Sequence, residues 1–223
     1  MLGALREAQV GAEGHQKRLG IHPGRSDDRG VTVHLETTRL LLRELTVDDV
    51  QNIVDLDADP EVARWAPEPP STRAEVERVM LPYWRRQYEQ TPGFGFWAVE
   101  EKVSGQFLGW FHLRPGDGHG ADEPELGYRL RRSAWGQGFA TEGSIALIDR
   151  AFAEHPVRRV LAETSAIHTA SRRVMEKSGL RLVREFDAGY PPIGPEDVLG
   201  DVEYAIDRDE WERRRPVSTG SRS

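Results

Sequence analysis

The stretch Glu125-Leu-Gly-Tyr-Arg-Leu-Arg-Arg-Ser-Ala-Trp-Gly-Gln-Gly-Phe-Ala-Thr-Glu142 is the most informative part of the sequence for the fold. The apolar-rich run from Glu125 to Leu130 predicts a strand, and a helical pattern runs from about Gly138 to Glu154. Gly136 and Gly138 lack Cβ atoms, so the backbone can turn tightly there and approach a ligand closely. The first amide N–H groups of the helix would point outward and favour an anion, and a pyrophosphate is the natural guest.

This glycine turn is open to more than one interpretation. The two glycines could simply connect a strand to a helix, since short glycine motifs are frequent in proteins. The stretch is not a dinucleotide-binding fingerprint, because the third glycine is missing and the preceding strand follows a hairpin. It is not a Walker A loop either, because no Gly-Lys-Ser/Thr follows. Thr141 could add a hydroxyl donor for an anion.

The runs on either side of this stretch predict a mixed sheet. Helices are predicted to begin at the N-caps Thr46 and Thr72, the latter forming a capping box with Glu75, and a further helix covers about 169–177. Two apolar runs around Ser104-Gly105 predict a hairpin. Helical patterns between strand runs indicate the α/β class. The predicted strands, besides 125–130, are 39–45, 94–100, 106–113, 159–164, 180–186 and 202–206.

Composition narrows the class of protein. The chain has 223 residues with 38% hydrophobic and 30% charged side chains, which suits one globular domain, predicted at 31–214. Residues 1–30 are predicted to be a disordered extension and 215–223 a disordered tail. The net charge of −7 argues against nucleic acid as a partner and suits a cationic substrate. The absence of cysteine excludes a thiolate metal site and a cysteine nucleophile.

The sequence also gives expectations about location. No apolar run approaches roughly 20 residues, so no membrane association is predicted. The first residues lack the basic start and continuous apolar stretch of a signal peptide, which favours the cytoplasm.

The runs 125–152 and 157–186 together resemble the GNAT superfamily of N-acyltransferases, most closely the ribosomal-protein N-terminal acetyltransferases of the RimJ/RimL type. The resemblance extends from the strand at 39–45 to Tyr204. It implies a central, twisted, mostly antiparallel sheet that is splayed between two parallel strands, with helices on both faces. It further implies direct transfer of an acetyl group from acetyl-CoA to a primary amine of a protein N-terminus or small molecule, by a monomer or homodimer and without a metal.

The same resemblance implies where acetyl-CoA binds. The phosphate motif of the family falls on Trp135, Gly138 and Ala140, with Trp in place of the usual Arg or Gln. Ser171 matches a serine of the family, whereas His168 stands where Asn is usual. The arm of the cofactor would lie between the strands 125–130 and 159–164. The predicted cofactor-binding residues are Leu130, Arg131, Arg132, Gly136, Gln137, Gly138, Phe139, Ala140, Thr141, His168 and Ser171.

Acyl transfer to an amine needs a base, a donor for the thioester oxyanion and an acid for the leaving thiolate. Glu125 is the predicted base, directly or through water; the alternative is a solvated acid at a strand end. Ser171 is the predicted acid or sulfur contact, and the alternative is a helix cap. His168 could serve as a base because the pKa of histidine is near neutral, or it is a residue beside the cofactor.

Aromatic residues are candidates for the acceptor pocket. Trp65, Trp84 and Trp110 are predicted to bind the acceptor, although most aromatics in such positions pack in the core. Trp65 lies between the first two helices, where members of the family shape the acceptor site. Two other functions remain open at this point: a non-catalytic acyl-CoA-binding or regulatory module, and an interaction protein that retains only the fold.

Overall fold

The computed structural model describes residues 26–66, 68–116, 118–189, 193 and 200–214. The strands in this part of the chain form a single eight-stranded sheet in the order β1-β2-β3-β4-β5-β6-β8-β7. All neighbouring strands are antiparallel except β5 and β6. The bounds are β1 Val33–Glu36, β2 Leu40–Glu44, β3 Gly95–Glu101, β4 Phe107–Pro115, β5 Pro124–Leu130, β6 Arg159–Ser165, β7 Arg181–Phe186 and β8 Asp201–Asp207.

Helices cover both faces of the sheet. A 3-10 turn at Val47–Asp49 precedes α1, and a π-helical segment at Val76–Met80 separates α3 from α4. None of the helices in the described ranges is long and apolar enough to span a membrane. The bounds are α1 Val50–Ala58, α2 Pro60–Ala63, α3 Arg73–Glu75, α4 Leu81–Gln90, α5 Phe139–Glu154, α6 Thr169–Lys177 and α7 Arg208–Arg214.

Strand alternation sends side chains into two separate hydrophobic clusters. On one face, Trp97 and Phe111 pack against Leu147 and Phe152 of α5. On the other, Phe96 and Trp110 pack against residues of α1 and α4, including Ile53 and Trp84. The sheet is therefore the middle layer of the fold, as the α/β prediction requires.

The parallel pair β5 and β6 is held together at one register position, Glu125 opposite Leu161. The antiparallel pairs on either side of it have long, continuous registers. The sheet is thus splayed between β5 and β6, which confirms the predicted fold class. The splay opens a space between two strands without breaking the sheet.

The predicted helix starts are confirmed in atomic detail. Thr46 and Thr72 each form a capping box, with Asp49 and Glu75 as the reciprocal partners. Two orphan backbone amides are satisfied at each helix start, which explains why these helices begin there.

Several elements were not predicted. The short elements β1, α2 and α7 lack a long periodic pattern and were missed. The helix expected from Thr72 changes to π geometry at Val76–Met80, just before Pro82, which lacks the N–H that a regular helix would use.

The predicted start of the domain needs correction. Residues 26–30, assigned to the extension, lie on the domain, because Ser26 bridges Thr32 and Arg29 binds Glu100 through two hydrogen bonds. Residues 1–25 and 215–223 lie outside the described residues.

Candidate active site

A cleft of about 2040 Å³ opens where β5 and β6 diverge. Gly136 and Gly138, which follow the end of β5, line it near the start of α5. Glu125, at the start of β5, and Glu163 of β6 also line it. One cavity therefore contains a turn that suits an anion and carboxylates that suit a cation.

The glycine turn has a backbone that only glycine adopts easily. Gly136 and Gly138 have φ values of 72° and 82°, in the left-handed region. Trp135 donates its indole N–H to the Leu130 carbonyl at 2.8 Å. The side-chain amide of Gln137 donates to the Ser133 carbonyl at 2.6 Å. Gly138 is the N-cap of α5 and has no side chain that could accept hydrogen bonds from the first backbone N–H groups of the helix. Those N–H groups are left for a ligand, and the helix dipole favours a negative one.

Arg39, just before β2, holds this turn from outside. Its Nη1 donates to the Gln137 carbonyl at 2.9 Å, and its Nε donates to Glu142 of α5 at 2.7 Å. The guanidinium also lies 4.4 Å over the Phe139 ring. Sequence reasoning missed this residue, because it lies far from the turn along the chain.

Two hydroxyl groups meet inside the cleft. Tyr128 of β5 donates its hydroxyl to Ser171 Oγ of α6 at 3.4 Å, and both residues line the cavity. Burial raises the pKa of Tyr128, although the hydrogen bond with Ser171 acts in the opposite direction. Tyr128 is therefore a protonated donor at neutral pH, linked to the serine predicted from the sequence.

A stack of aromatic rings forms one wall. The rings of Trp65 and His168 lie 3.7 Å apart with an interplanar angle of 13°, and Arg64 covers Trp65 at 4.8 Å. Burial, and then the charge of Arg64, lower the pKa of His168 to about 4. His168 is thus neutral at pH 7, and it joins the turn after α2 to the start of α6.

Glu125 is surrounded by basic groups on the neighbouring strand β4. Its Oε2 accepts from Arg114 Nη2 at 3.0 Å, and its Oε1 lies 3.6 Å from His112 Nε2. Burial opposes ionisation, but His112 and Arg114 outweigh it and lower the pKa of Glu125 to about 2. Glu125 is an anion at neutral pH and a weak base, which suits it to bind a cation.

His112 can lie close to Glu125 because a glycine on the next strand leaves space for its ring. It pairs with Gly127 in the β4–β5 register, and a Cβ at Gly127 would lie 2.5 Å from His112 Cε1. Burial lowers the pKa of His112, while Glu125 acts in the opposite direction. His112 is therefore a buried support for the Glu125 carboxylate.

Comparison with known proteins assigns the chain to a family. The sequence profile of the acetyltransferase (GNAT) domain matches residues 39–181, more than half of the chain. The chain belongs to the GNAT acetyltransferase family. This GNAT acetyltransferase is 37% identical over 199 residues to a protein of Aspergillus fumigatus named FsC-acetyl coenzyme A-N(2)-transacetylase, covering 84% of this chain and 82% of that relative.

Solved structures share the fold of this GNAT acetyltransferase. An acetyltransferase of the GNAT family from Bacillus anthracis superposes with a TM-score of 0.63 at 22% identity, covering 78% of this chain and 98% of that one. A spermidine N-acetyltransferase from Vibrio cholerae, in complex with CoA and spermine, gives a TM-score of 0.64 at 14% identity, covering 79% and 99%. At these identities the likeness establishes the fold.

Acetyl-CoA is the acetyl donor of the GNAT family and the cosubstrate of this acetyltransferase. The left-handed glycine turn, the uncapped amides of α5 and the splayed strands suit a pyrophosphate group with an extended arm. Among the described residues, no three His, Asp or Glu side chains cluster in a way that could hold a metal ion.

The predicted cofactor residues are not all directed to the cleft. Those that line it are Leu130, Gly136, Gly138, Phe139, Ala140, Thr141, His168 and Ser171. The other three make contacts elsewhere. The backbone N–H of Arg131 donates to the Leu108 carbonyl, and the guanidinium of Arg131 donates to Asn52 Oδ1 at 2.9 Å. Arg132 pairs with Glu61 at 3.5 Å, and the Gln137 side chain is held at the turn.

The three predicted acceptor tryptophans separate in the structure. Trp65 and Trp110 line the cleft. Trp84 is 0% exposed, stacks on Phe96 and packs in the core beneath α4. Its prediction as an acceptor contact is corrected, because helix packing places the indole in the interior.

Proposed function

We propose that this acetyltransferase moves the acetyl group of acetyl-CoA to a primary amine of a small molecule or a peptide N-terminus, by direct attack of the amine. The observation that carries the proposal is that one cleft is lined both by the glycine turn and by the carboxylates Glu125 and Glu163. A direct attack needs no covalent enzyme intermediate, which suits a chain without cysteine.

The donor side is assigned to the turn and the splayed strands. The amides at the start of α5 would hold the pyrophosphate, and Arg39 keeps the turn in place through the Gln137 carbonyl. Tyr128 and Ser171 would supply the proton or hydrogen bond that the leaving thiolate needs.

The acceptor side is assigned to the face that carries Glu125, with Trp65 and Trp110 as apolar walls. An amine arrives as an ammonium ion at neutral pH, and an ionised carboxylate attracts it. The relative named as an N(2)-transacetylase supports a nitrogen acceptor. A protein N-terminus, as in the RimJ/RimL branch, and a small amine are both consistent with this site, and a cytoplasmic location fits either.

Binding of acetyl-CoA can be measured by calorimetry with the wild type and the Gly138→Trp variant. Gly138 is the left-handed N-cap of α5, so a side chain there distorts the turn and obstructs the amides. We expect saturable binding by the wild type and at least about a tenfold weakening in the variant.

Gly105→Trp is the matched control, because Gly105 also has a positive φ, 68°, with open space around its Cβ position in the hairpin turn. It carries the same backbone strain away from the cleft and should bind acetyl-CoA like the wild type. Equal weakening in both variants, or no binding by the folded wild type, contradicts the assignment of the turn.

Release of CoA in the presence of spermidine, an aminoglycoside and a short peptide with a free N-terminus then tests the acceptor. Turnover with one of them identifies the class of amine. Binding of acetyl-CoA without CoA release by any primary amine would favour the alternative, a non-catalytic acyl-CoA-binding module.

A further inference from the structure

We propose that Glu163, rather than Glu125, removes the proton from the attacking amine, and that Glu125 remains an anion that holds the ammonium form of the acceptor. This inference rests on the proposed function, and it divides between two carboxylates the role that the sequence assigned to Glu125.

The two carboxylates share one face of the sheet. Leu161 lies opposite Glu125 in the parallel pair, so their side chains point to the same side. Glu163 is two residues further along β6 and shares that side. Ala162, between them, is buried in the core on the opposite side. Glu163 therefore projects into the cleft beside Glu125, and both residues line it.

Glu125 is already engaged. One oxygen accepts from Arg114 at 3.0 Å, and the other faces the buried ring of His112 at 3.6 Å. These neighbours lower its pKa to about 2, against the effect of burial. A carboxylate held ionised in this way attracts an ammonium ion but gains little by accepting its proton.

Glu163 has the opposite surroundings. Its side chain is exposed to the cleft, and its carboxylate makes no hydrogen bond or ion pair within the part of the chain that the structure describes. Partial burial, and then the charges of Glu125 and Glu203, raise its pKa, with Asp201 acting in the same direction and Arg184 against it. Arg184 is itself paired with Glu203 at 2.7 Å, so it neutralises Glu203 first.

Two carboxylates whose pKa values are pushed apart by their surroundings commonly divide the work of an active site. The group with the raised pKa is the better base near neutral pH, because proton transfer to it costs less. The group with the lowered pKa supplies the permanent charge. By this reasoning Glu163 is the proton acceptor and Glu125 the binding group.

The ammonium form of the acceptor gives one proton to the Glu163 carboxylate and becomes a neutral amine. The nitrogen lone pair forms the N–C bond to the thioester carbonyl, and the C–S bond breaks with its electron pair on sulfur. The nitrogen then loses a second proton, and the leaving thiolate of CoA gains one. Glu163 finally returns the first proton to solvent.

The experiment compares Glu163→Gln and Glu125→Gln in two measurements. The first is the pH dependence of kcat/KM, with acetyl-CoA and the most active amine of the panel above. The second is a titration of Glu side-chain carboxyl carbons by NMR on the free protein. The titration requires no turnover, so it distinguishes failure of this inference from failure of the proposed function.

We expect Glu163→Gln to lower kcat/KM by about 100-fold and to remove the fall in rate at acidic pH. Glu125→Gln should mainly raise KM for the amine and keep that acidic fall. In the NMR titration, the carboxyl signal that disappears in Glu163→Gln should titrate at a higher pH than the one that disappears in Glu125→Gln.

Glu89→Gln, an exposed acid of α4 that does not line the cleft, is the matched control and should keep the wild-type profile. The inference is overturned if Glu163→Gln keeps wild-type activity and its acidic fall. It is also overturned if Glu125→Gln alone removes that fall, or if Glu125 titrates at the higher pH.

Discussion

Single residues in the cleft derive their chemistry from the groups they contact. Tyr128 is protonated at neutral pH, partial burial raises its pKa further, and its hydroxyl reaches Ser171 at 3.4 Å. Ser171 alone is a weak acid, whereas the pair offers a phenolic proton through a serine hydroxyl. The leaving thiolate of CoA is the group in this reaction that needs such a proton.

Tyr128→Phe should lower kcat by about 10- to 100-fold, because the proton donor is lost while the ring remains packed. Binding of acetyl-CoA measured by calorimetry should stay within about twofold of the wild type. Ser171→Ala serves as a comparison and should show the same pattern. If either variant keeps the wild-type kcat, the two hydroxyl groups contribute to packing and not to proton donation.

His168→Asn should change how stability depends on pH. The folded-state pKa of His168 is lowered to about 4 by burial and by Arg64, whereas the unfolded chain titrates near its ordinary value, about 6.5. The unfolded state therefore binds more protons between these values, and stability is lost as the pH falls from about 6.5 toward 4.

Urea unfolding at pH 7 and pH 5 measures this effect. The variant should lose less stability between the two pH values than the wild type. The pKa values of His34, His112 and His155 are also lowered, mainly by desolvation, but these residues contribute equally to both proteins. An equal loss in both would show that the Trp65–His168 stack does not exist in solution.

At the scale of elements, the site depends on close backbone contacts between strands. Gly109 of β4 has a φ of 145°, and a Cβ there would lie 2.1 Å from the Arg129 carbonyl oxygen on β5. This close approach lets β4 pair with the end of β5 at Leu130, just before the segment that leads into the glycine turn. The register of β4 on β5 therefore positions both Glu125 and the turn.

Gly109→Ala should destabilise the protein by about 3 kcal/mol or more, because the left-handed conformation and the clash with backbone add together. Gly105→Ala, also at a positive φ but with open space around it, should cost only about 1 kcal/mol. Chemical denaturation of both variants makes the comparison. Equal losses would indicate that backbone conformation alone, without the clash, matters at Gly109.

At the scale of the whole molecule, one buried ion network ties the edge of the sheet together. Arg43 of β2 contacts Asp49 and Glu100 at 2.7 Å each, and Arg29 contacts Glu100 at 2.8 Å. Burial opposes ionisation of Glu100, but the two arginines lower its pKa. The network joins residues before β1 to β2, β3 and the start of α1.

Arg43→Leu should cost about 3–5 kcal/mol, because it leaves the buried Asp49 carboxylate without its arginine and Glu100 with Arg29 alone. Arg150→Leu removes an exposed pair with Glu154 on α5 and should change stability by less than about 1 kcal/mol. The free energy of unfolding in urea measures both. A small loss in Arg43→Leu would mean that water replaces the arginine.

The N-cap at Thr46, the capping box at Thr72, the hairpin around Ser104-Gly105 and the glycine turn were predictable, because each is local. A few neighbouring residues satisfy their own backbone groups or relieve their own steric conflicts. The short elements β1, α2 and α7 were not, because tertiary packing stabilises them more than their own sequence does.

The sequence alone determined the class of fold and the family, because strand and helix patterns can be recognised from 39 to 206. It also predicted the glycine turn, which is local to 135–138. Only the tertiary structure decided which side chains gather at the cleft. It removed Trp84 from the site, brought Arg39 to the glycine turn and Tyr128 to Ser171, and placed His112 beside Glu125 and Glu163 in the lining of the cleft. The physical reason is that the charge and pKa of a carboxylate depend on neighbours from other strands. Arg114 and His112 next to Glu125, and Glu203 next to Glu163, are brought there by strand pairing and not by closeness in the chain.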